Sequence, residues 1–352
     1  FSRLRQQHRP LRFMALKFAY IIPSIAINLL LFLVLDKVAA LQGIYDRFNG
    51  GVGLIFFANL LCTSAVMLLF IPELRGIRYG FDRALARRML RYTWPLLILS
   101  LVGILNQVAD KILYPRLVPG EEGMVQLGIY GACVKIAMIM SLLTQAFRYA
   151  YEPIVFGSGA DRNSPQTLAD GMKYFIIFTL LAFLAVMFYM PLLKYFVGRS
   201  YWEGLGVVPI VMAAEIFMGV YFNLSFWYKL TDQTWWGAVI SAIGAAVMIA
   251  VNVLFVPGYG YRACAWGGFA GYGTAMVLSW AIGRRRYPVP YDGRTIAKYV
   301  IMAVLLYALS ALPGRLSDNV PVALTLVFNT LLLAVYCLPL ARRLMGNRIK
   351  KQ

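Results

Sequence analysis

Histidine, acidic side chains and long polar connections are what this chain has least of. One histidine, His8, stands in a basic opening stretch, which leaves no His-based catalytic or metal cluster to assemble. The four cysteines, Cys62, Cys133, Cys264 and Cys337, lie in four different apolar runs without CxxC spacing. They read as small packing residues, not as a disulfide framework or a metal site. Acidic residues number 15 against 34 lysines and arginines. No loop is long enough to build a folded catalytic domain, and paired catalytic carboxylates are lacking, which argues against a membrane-bound polymerase, ligase or glycosyltransferase. The chain therefore reads as a non-enzyme with no cofactor. A signal peptide is missing too, and the first residue is Phe1 rather than Met, so the opening reads as a cut edge.

What is present is apolar surface. Of 352 residues 61% are hydrophobic and 14% charged, with a mean hydropathy of +0.68. That is too apolar for a soluble globule. Ten runs have membrane-spanning length: Met14–Leu35, Gly51–Ile71, Thr93–Tyr114, Leu127–Phe147, Tyr174–Leu193, Gly204–Tyr228, Trp235–Val256, Tyr261–Ile282, Ala297–Leu312 and Val320–Leu340. Only helices or closed barrels satisfy the backbone in hydrocarbon, and runs this long and continuous are not barrel strands. The expected fold class is all-α, a polytopic transmembrane bundle of about ten spans.

A net charge of +19 suggests nucleic acid or anionic lipid as a partner. Its placement in short loops between spans selects membrane lipid. Of the 34 basic residues, 25 fall on the side that holds both termini, among them Arg83, Arg87, Arg88, Arg284, Arg285 and Arg286. Seven fall on the other side (Lys37, Arg47, Arg116, Lys194, Arg199, Arg262, Arg315), and Lys111 and Lys135 lie within spans. The asymmetry places both termini in the cytoplasm. In the basic segment Glu73–Arg91, Phe81, Leu85 and Met89 recur at helical spacing. It reads as an amphipathic juxtamembrane helix at the headgroups or as a linker between two moving halves. The other sizeable cytoplasmic loop is Tyr149–Asp170.

Polar residues inside apolar runs cost a few kcal/mol each if they face lipid, so they mark an interior path. The candidates are Asn106, Asp110, Lys111, Lys135, Glu215 and Asn252. Asn106 and Asp110 share a helix face. Asp110 and Lys135, on consecutive antiparallel spans, fall within about one helical turn in depth, so they are expected to pair. Such a group either only orients helices or meets a coupling cation or an anionic substrate. Glu215, with Gly219 and Asn223 on its face, is a proton or cation site or an interhelical hydrogen bonder. Asn252 reads as interhelical glue. The glycines of Gly267-Gly268-Phe269-Ala270-Gly271 give GxxxG, which in an apolar span means close helix packing. Aromatics at span ends form an interface belt, while Tyr130 and Tyr221 are placed to stack on sugar rings.

Several stretches together resemble a known family. Tyr92-Thr93-Trp94-Pro95, Asn106 with Asp110-Lys111, Gly128-Ile129-Tyr130 with Lys135, and Tyr151-Glu152-Pro153 occur in an order similar to the second half of bacterial polysaccharide (O-antigen-type) flippases. These belong to the multidrug/oligosaccharidyl-lipid/polysaccharide exporter superfamily. Val256-Pro257-Gly258-Tyr259-Gly260 followed by Tyr261-Arg262-Ala263-Cys264-Ala265 looks like the turn between two spans of that family. The resemblance implies a MATE-like two-lobe transporter fold with an incomplete first lobe. Residues 1–72 would supply its last two helices and 73–91 a basic linker. Residues 92–283 would be a second six-helix lobe, and 284–352 a terminal pair with a basic tail. About four leading helices would be missing. It implies a flippase that moves a lipid-linked oligosaccharide across a bacterial inner membrane, with polysaccharide, O-antigen and lipopolysaccharide biosynthesis as its setting. Na+ or H+ would be the coupling ion, through Asp110 or Glu215. The alternatives are a multidrug or toxin antiporter of the same superfamily and an inactive truncated fragment.

Overall fold

Helices occupy the described part of each of the ten apolar runs in the computed structural model, which describes residues 10–34, 52–69, 82–156, 165–312 and 321–349, and the runs Tyr174–Leu193 and Gly204–Tyr228 are each interrupted. Residues 1–9, the segment 70–81 with Arg75, Arg78 and Phe81, the polar run 157–164 and the tail 350–352 lie outside the described residues. The helices are α1 (Pro10–Val34), α2 (Val52–Leu69), α3 (Arg83–Leu117), α4 (Glu121–Val155), α5 (Pro165–Phe188), the short α6 (Met190–Leu193), α7 (Val208–Leu224), the short α8 (Phe226–Leu230), α9 (Trp235–Tyr259), α10 (Tyr261–Arg286), α11 (Gly293–Ser310) and α12 (Val322–Ile349). No strand occurs among the described residues. Six segments have the length and composition to cross a membrane: α4, α5, Arg199–Leu230, α9, α11 and Val322–Ala341. Met14–Leu30 and Gly53–Leu69 are shorter apolar helices. The remaining two expected spans, α3 and α10, are long enough at 35 and 26 residues but carry arginines at both ends, clustered at the start of α3 and the end of α10.

Local chemistry sets where the helices stop. Gly120 (φ +104°) makes the turn from α3 to α4, and Gly260 (φ +60°) the turn from α9 to α10, both in a region that side chains disfavour. Glu121 and Glu122 open α4, where negative charge meets the positive helix end. Pro209 sits in the first turn of α7, where its missing N–H costs nothing. Asp292 caps α11 by accepting from the Thr295 N–H at 3.1 Å. The basic residues Arg83 to Arg91 are the first turns of α3 itself, so this part of the basic segment and the span that follows are one helix.

The chain divides into two units by contact, Phe1–Ala86 and Arg87–Gln352. In the first, α1 packs on α2, burying Leu16, Leu54, Ala58, Cys62 and Val66. The Tyr20 hydroxyl donates to Asn59 Oδ1 at 3.0 Å.

In the second unit, the core is built from α4, α7, α9 and α10, with Tyr130, Cys133, Met140, Met212, Val256 and Cys264 buried together. Helices α9 and α10 approach through glycine. A β-carbon on Gly271 would stand 2.8 Å from the Gly244 carbonyl oxygen, and one on Gly244 2.9 Å from that of Gly271. Small residues at such a contact let two backbones meet in a membrane. After α5 the chain breaks at Tyr189 and turns through two 3₁₀ stretches, Lys194–Phe196 and Arg199–Val207. Trp202 holds this irregular segment by donating its indole N–H to the carbonyls of Lys194 (3.0 Å) and Val197 (3.1 Å). The pair α11–α12 docks on α5, burying Ile177, Leu184, Phe188, Tyr299 and Tyr336. Asn329 donates to the Phe188 carbonyl at 2.9 Å, at the end of α5 where the helical bonding pattern breaks. Tyr336 donates to the Ile177 carbonyl at 3.1 Å. Large apolar side chains such as Leu142, Leu254, Leu324 and Leu331 are exposed, as expected of surfaces solvated by lipid.

Because Gly271 meets backbone and Gly268 meets nothing within 4 Å, the two glycines separate packing from composition. Gly271→Leu is expected to destabilise by about 1–3 kcal/mol, the usual cost of overpacking. Gly268→Leu should leave the thermal unfolding midpoint in detergent nearly unchanged. Equal midpoints for the two variants would contradict the close α9–α10 contact.

Candidate functional site

Helices α3, α4, α7 and α10, with Met248 of α9, enclose a cavity of about 350 Å³. Its polar lining is Gln107, Asp110 and Lys111 from α3, Tyr130, Lys135 and Ser141 from α4, Glu215 from α7 and Tyr272 from α10. Four of the six expected pathway residues, Asp110, Lys111, Lys135 and Glu215, thus meet at one interior space. The backbone of Asn106 belongs to α3, and its side chain lies outside the described residues.

Asp110 is 7% exposed and fully engaged. It accepts from the Tyr130 hydroxyl at 2.7 Å and lies 3.5 Å from the Lys111 ammonium. Lys111 also donates to the Gln107 carbonyl at 3.3 Å, and its ammonium stands 5.7 Å from the centre of the Tyr130 ring. A buried carboxylate is thus satisfied by a buried phenol and by a lysine that is itself 37% exposed.

Lys135 does not join this group as the sequence led one to expect. Among the described residues the cation at ion-pair distance from Asp110 is Lys111, and Lys135 has no carboxylate within 4 Å. The reason is depth. Helix α4 begins at Glu121 rather than Leu127, which places Lys135 roughly 21 Å from the turn, whereas Asp110 is roughly 10 Å from it. Tyr130, at roughly 14 Å, is the α4 residue level with Asp110.

Glu215 accepts from the Ser141 hydroxyl at 2.8 Å, a neutral donor across α4 and α7. Two turns further on, Asn223 bonds its own helix, donating to the Gly219 carbonyl at 3.0 Å. Asn252 is fully buried, but it does not line the cavity; Met248, one turn away, does. Its amide presses on Gly267, where a β-carbon would collide with Asn252 Oδ1, and both its polar atoms lack a hydrogen-bond partner. The helix contact expected of Asn252 is present, and the hydrogen bond is not.

The two tyrosines expected to stack on sugars are otherwise committed. Tyr130 is 3% exposed, with its hydroxyl on Asp110. Tyr221 shares a hydrogen bond of 2.8 Å with Ser241. Ser141, Tyr272 and Gln107 were missed because neutral residues in apolar runs draw no attention. Helical spacing could have found two of them. Ser141 continues the stripe Gly131, Val134, Met138, and Tyr272 the stripe Ala265, Gly268.

A solved structure titled lipid II flippase MurJ, inward closed conformation, is similar to this chain. The TM-score is 0.59 at 14% identity, spanning 88% of this chain and 67% of the solved one. No family model and no curated protein matches the sequence. The fold is therefore the MurJ-like transporter fold, all-helical among the described residues.

A double-mutant cycle tests the internal wiring. Tyr130→Phe and Asp110→Asn should each lower stability, with a coupling of about 1–2 kcal/mol by unfolding in detergent, the scale of a hydrogen bond to a charge. The matching cycle between Lys135→Met and Asp110→Asn should show no coupling. A large coupling there would restore the Asp110–Lys135 pairing that the structure lacks.

Proposed function

We propose that this chain acts as a flippase, moving a lipid-linked saccharide precursor from the cytoplasmic to the outer leaflet of a bacterial inner membrane. The observation that carries this reading is the MurJ-like fold with an interior cavity whose walls bear Lys111 and Lys135 beside Asp110 and Glu215. A cavity with mixed charge takes up a sugar head and its phosphates, while the apolar exterior remains in lipid. The sequence features quoted above favour an O-antigen-type saccharide, and the biased basic residues favour cytoplasmic termini. On this reading 1–72 belongs to a first lobe, 92–283 forms the second, and 284–352 is an accessory pair. Asn252 acts beside the cavity at the contact of α9 with α10, and Asn106 stays a candidate pathway residue on sequence alone.

Movement of the head group is driven by a coupled Na+ or H+. Of the two carboxylates Glu215 is the better coupling residue. Asp110 already has a lysine at 3.5 Å, whereas the hydrogen bond to Glu215 comes from a neutral hydroxyl. A proton or cation arriving at Glu215 changes a charge that no described cation holds at ion-pair distance, Lys111 acting on it only from further away.

Reconstitution in vesicles with a fluorescent polyprenyl-diphosphate oligosaccharide tests this. Access of an added glycosidase to the sugars reports the leaflet they occupy. The protein should speed equilibration between leaflets, and an imposed Na+ or proton gradient should bias it. Glu215→Gln should abolish the bias and slow movement tenfold or more. Rates equal to those of empty vesicles would overturn the flippase reading. Export of cationic drugs without saccharide movement would point to an antiporter of the same fold.

A further inference from the structure

Helices α7, α9 and α10, with Gly103 of α3, enclose a second, smaller cavity of about 60 Å³. The polar side chains in its lining are all hydroxyls, Tyr221 of α7, Ser241 of α9 and Tyr272 of α10, and the remainder is glycine, methionine and alanine. Met248 and Tyr272 also line the interior cavity that holds Glu215. The two spaces therefore meet at Tyr272, and the charge of Glu215 reaches that phenol.

From the small cavity a chain of hydroxyls continues toward α8. Ser241 and Tyr221 share a hydrogen bond of 2.8 Å, and the Tyr228 hydroxyl donates to that of Tyr221 at 3.4 Å. Tyr221 also reaches the Gly237 carbonyl at 3.3 Å. A β-carbon on Gly237 would stand 3.0 Å from the Tyr228 oxygen, so the chain ends in the first turn of α9, beside the turn 231–234. Asp232 and Thr234 of that turn are exposed. Along α9 the path covers Gly237 to Met248, roughly 16 Å of helix.

The small cavity exceeds the roughly 30 Å³ that a water takes in the liquid, and its three hydroxyls, each able to donate and accept, are enough partners to hold one. Hydroxyls and water in series pass a proton with little movement of heavy atoms. Each group accepts a proton on one side and releases its own on the other, so one proton crosses and every group ends as it began. The main cavity is the poorer route. Lys111 and Lys135 line it and raise the cost of a further positive charge, and a saccharide head would fill it. The other titratable groups around Glu215 are Asp110 and Lys111 of α3, Tyr130 and Lys135 of α4 and Cys264 of α10; these line the main cavity and not the small one. Helix α5, which also packs on α7, meets it with Met172, Phe175 and Ile176.

We propose that Tyr228, Tyr221, Ser241 and Tyr272, with water in the small cavity, relay protons between Glu215 and the face of the bundle at the turn 231–234, by a route separate from the one the saccharide takes. This rests on the reading of Glu215 as the coupling residue. It adds that the ion is a proton, exchanged at the end of the bundle where Arg286 bonds Gln233.

Proton exchange is read without transport, by infrared difference spectra of the purified protein after a rapid drop in pH. The carboxylic acid band that is lost in Glu215→Gln reports protonation of that residue. Ser241→Ala and Tyr221→Phe should each slow its appearance tenfold or more at an unchanged titration midpoint, and Ser241→Thr should keep the parent rate. Thermal midpoints within a degree or two of the parent identify variants that fold, and Tyr228→Phe breaks the chain at a further point. Parent rates in the broken variants send the proton through the main cavity and overturn the relay. A titration midpoint that shifts together with the rate makes the hydroxyls structural and overturns it too. No such band at any pH removes Glu215 as the coupling residue, and the relay with it. In the leaflet assay, a proton-driven bias that survives Ser241→Ala and Tyr221→Phe defeats the relay alone, as does a bias that answers to Na+ and not to protons. Relay kinetics in a protein that moves no saccharide defeat the flippase reading and leave the relay.

Discussion

Ionisable groups inside a spanning bundle must be hidden from hydrocarbon and matched to one another, and the hydrogen bond from Tyr130 to Asp110 is where this chain meets that demand most fully. The bond fixes the register of α3 against α4, because a phenol nine residues past the turn reaches a carboxylate seven residues before it. With that register set, Lys111 closes on Asp110 from the same helix, and the next polar positions of α4, Lys135 and Ser141, are delivered to the cavity at successive depths. An aspartate without these partners would carry the desolvation cost of a buried charge, and the helices would separate to admit water.

Around this polar seam the fold relies on contact rather than on hydrophobic driving force, since lipid tails are as apolar as leucine. Gly244 and Gly271 bring α9 and α10 together, Gly204 seats the 3₁₀ segment on α4, and Gly219 accepts the Phe175 ring against α7. Where the backbone bonding pattern is broken, side chains replace it. Trp202 serves the carbonyls of Lys194 and Val197, and Asn329 serves that of Phe188. An unpaired carbonyl costs several kcal/mol in hydrocarbon, so these few side chains make an irregular segment tolerable beside a cavity.

The helices were legible because apolar length is a strong signal, and the cavity-lining charges because charge in such a run is rare. Four of the six do line one cavity. What failed was pairing, and it failed through a boundary. Glu121 to Gln126 look like a polar loop on composition, yet the acidic pair stabilises a helix start, and the six added residues carry Lys135 about two turns below Asp110. Ser141 and Tyr272 were invisible as functional residues because their role comes from the helix across the cavity, not from their own run. The 3₁₀ segment was hidden because its last residues, Gly204 to Val207, read as the start of the following span and the rest as a plain connection. Asn252 shows a further limit: sequence places a polar residue at an interface but not the partner that would satisfy it.

The charges of the cavity are unequal in a way that bears on directionality. Asp110 and Lys111 neutralise each other at short range, so their field at a distance is that of a small dipole. Among the described residues Lys135 and Glu215 each lack an oppositely charged side chain at ion-pair distance, although the Lys111 charge reaches Glu215, and both line the same space, from α4 and α7. An anion at Lys135 and a cation or proton at Glu215 would each reduce the cost of the other, because both sites share a low-dielectric surround. Two ligands coupled in this way must favour each other's binding by equal factors. Under the flippase proposed above, a bundle holding both would be closer to neutral than one holding either, a condition for a polar cavity to close toward one leaflet and open toward the other. On that reading the lysine and the glutamate would belong to one device, moved by occupancy.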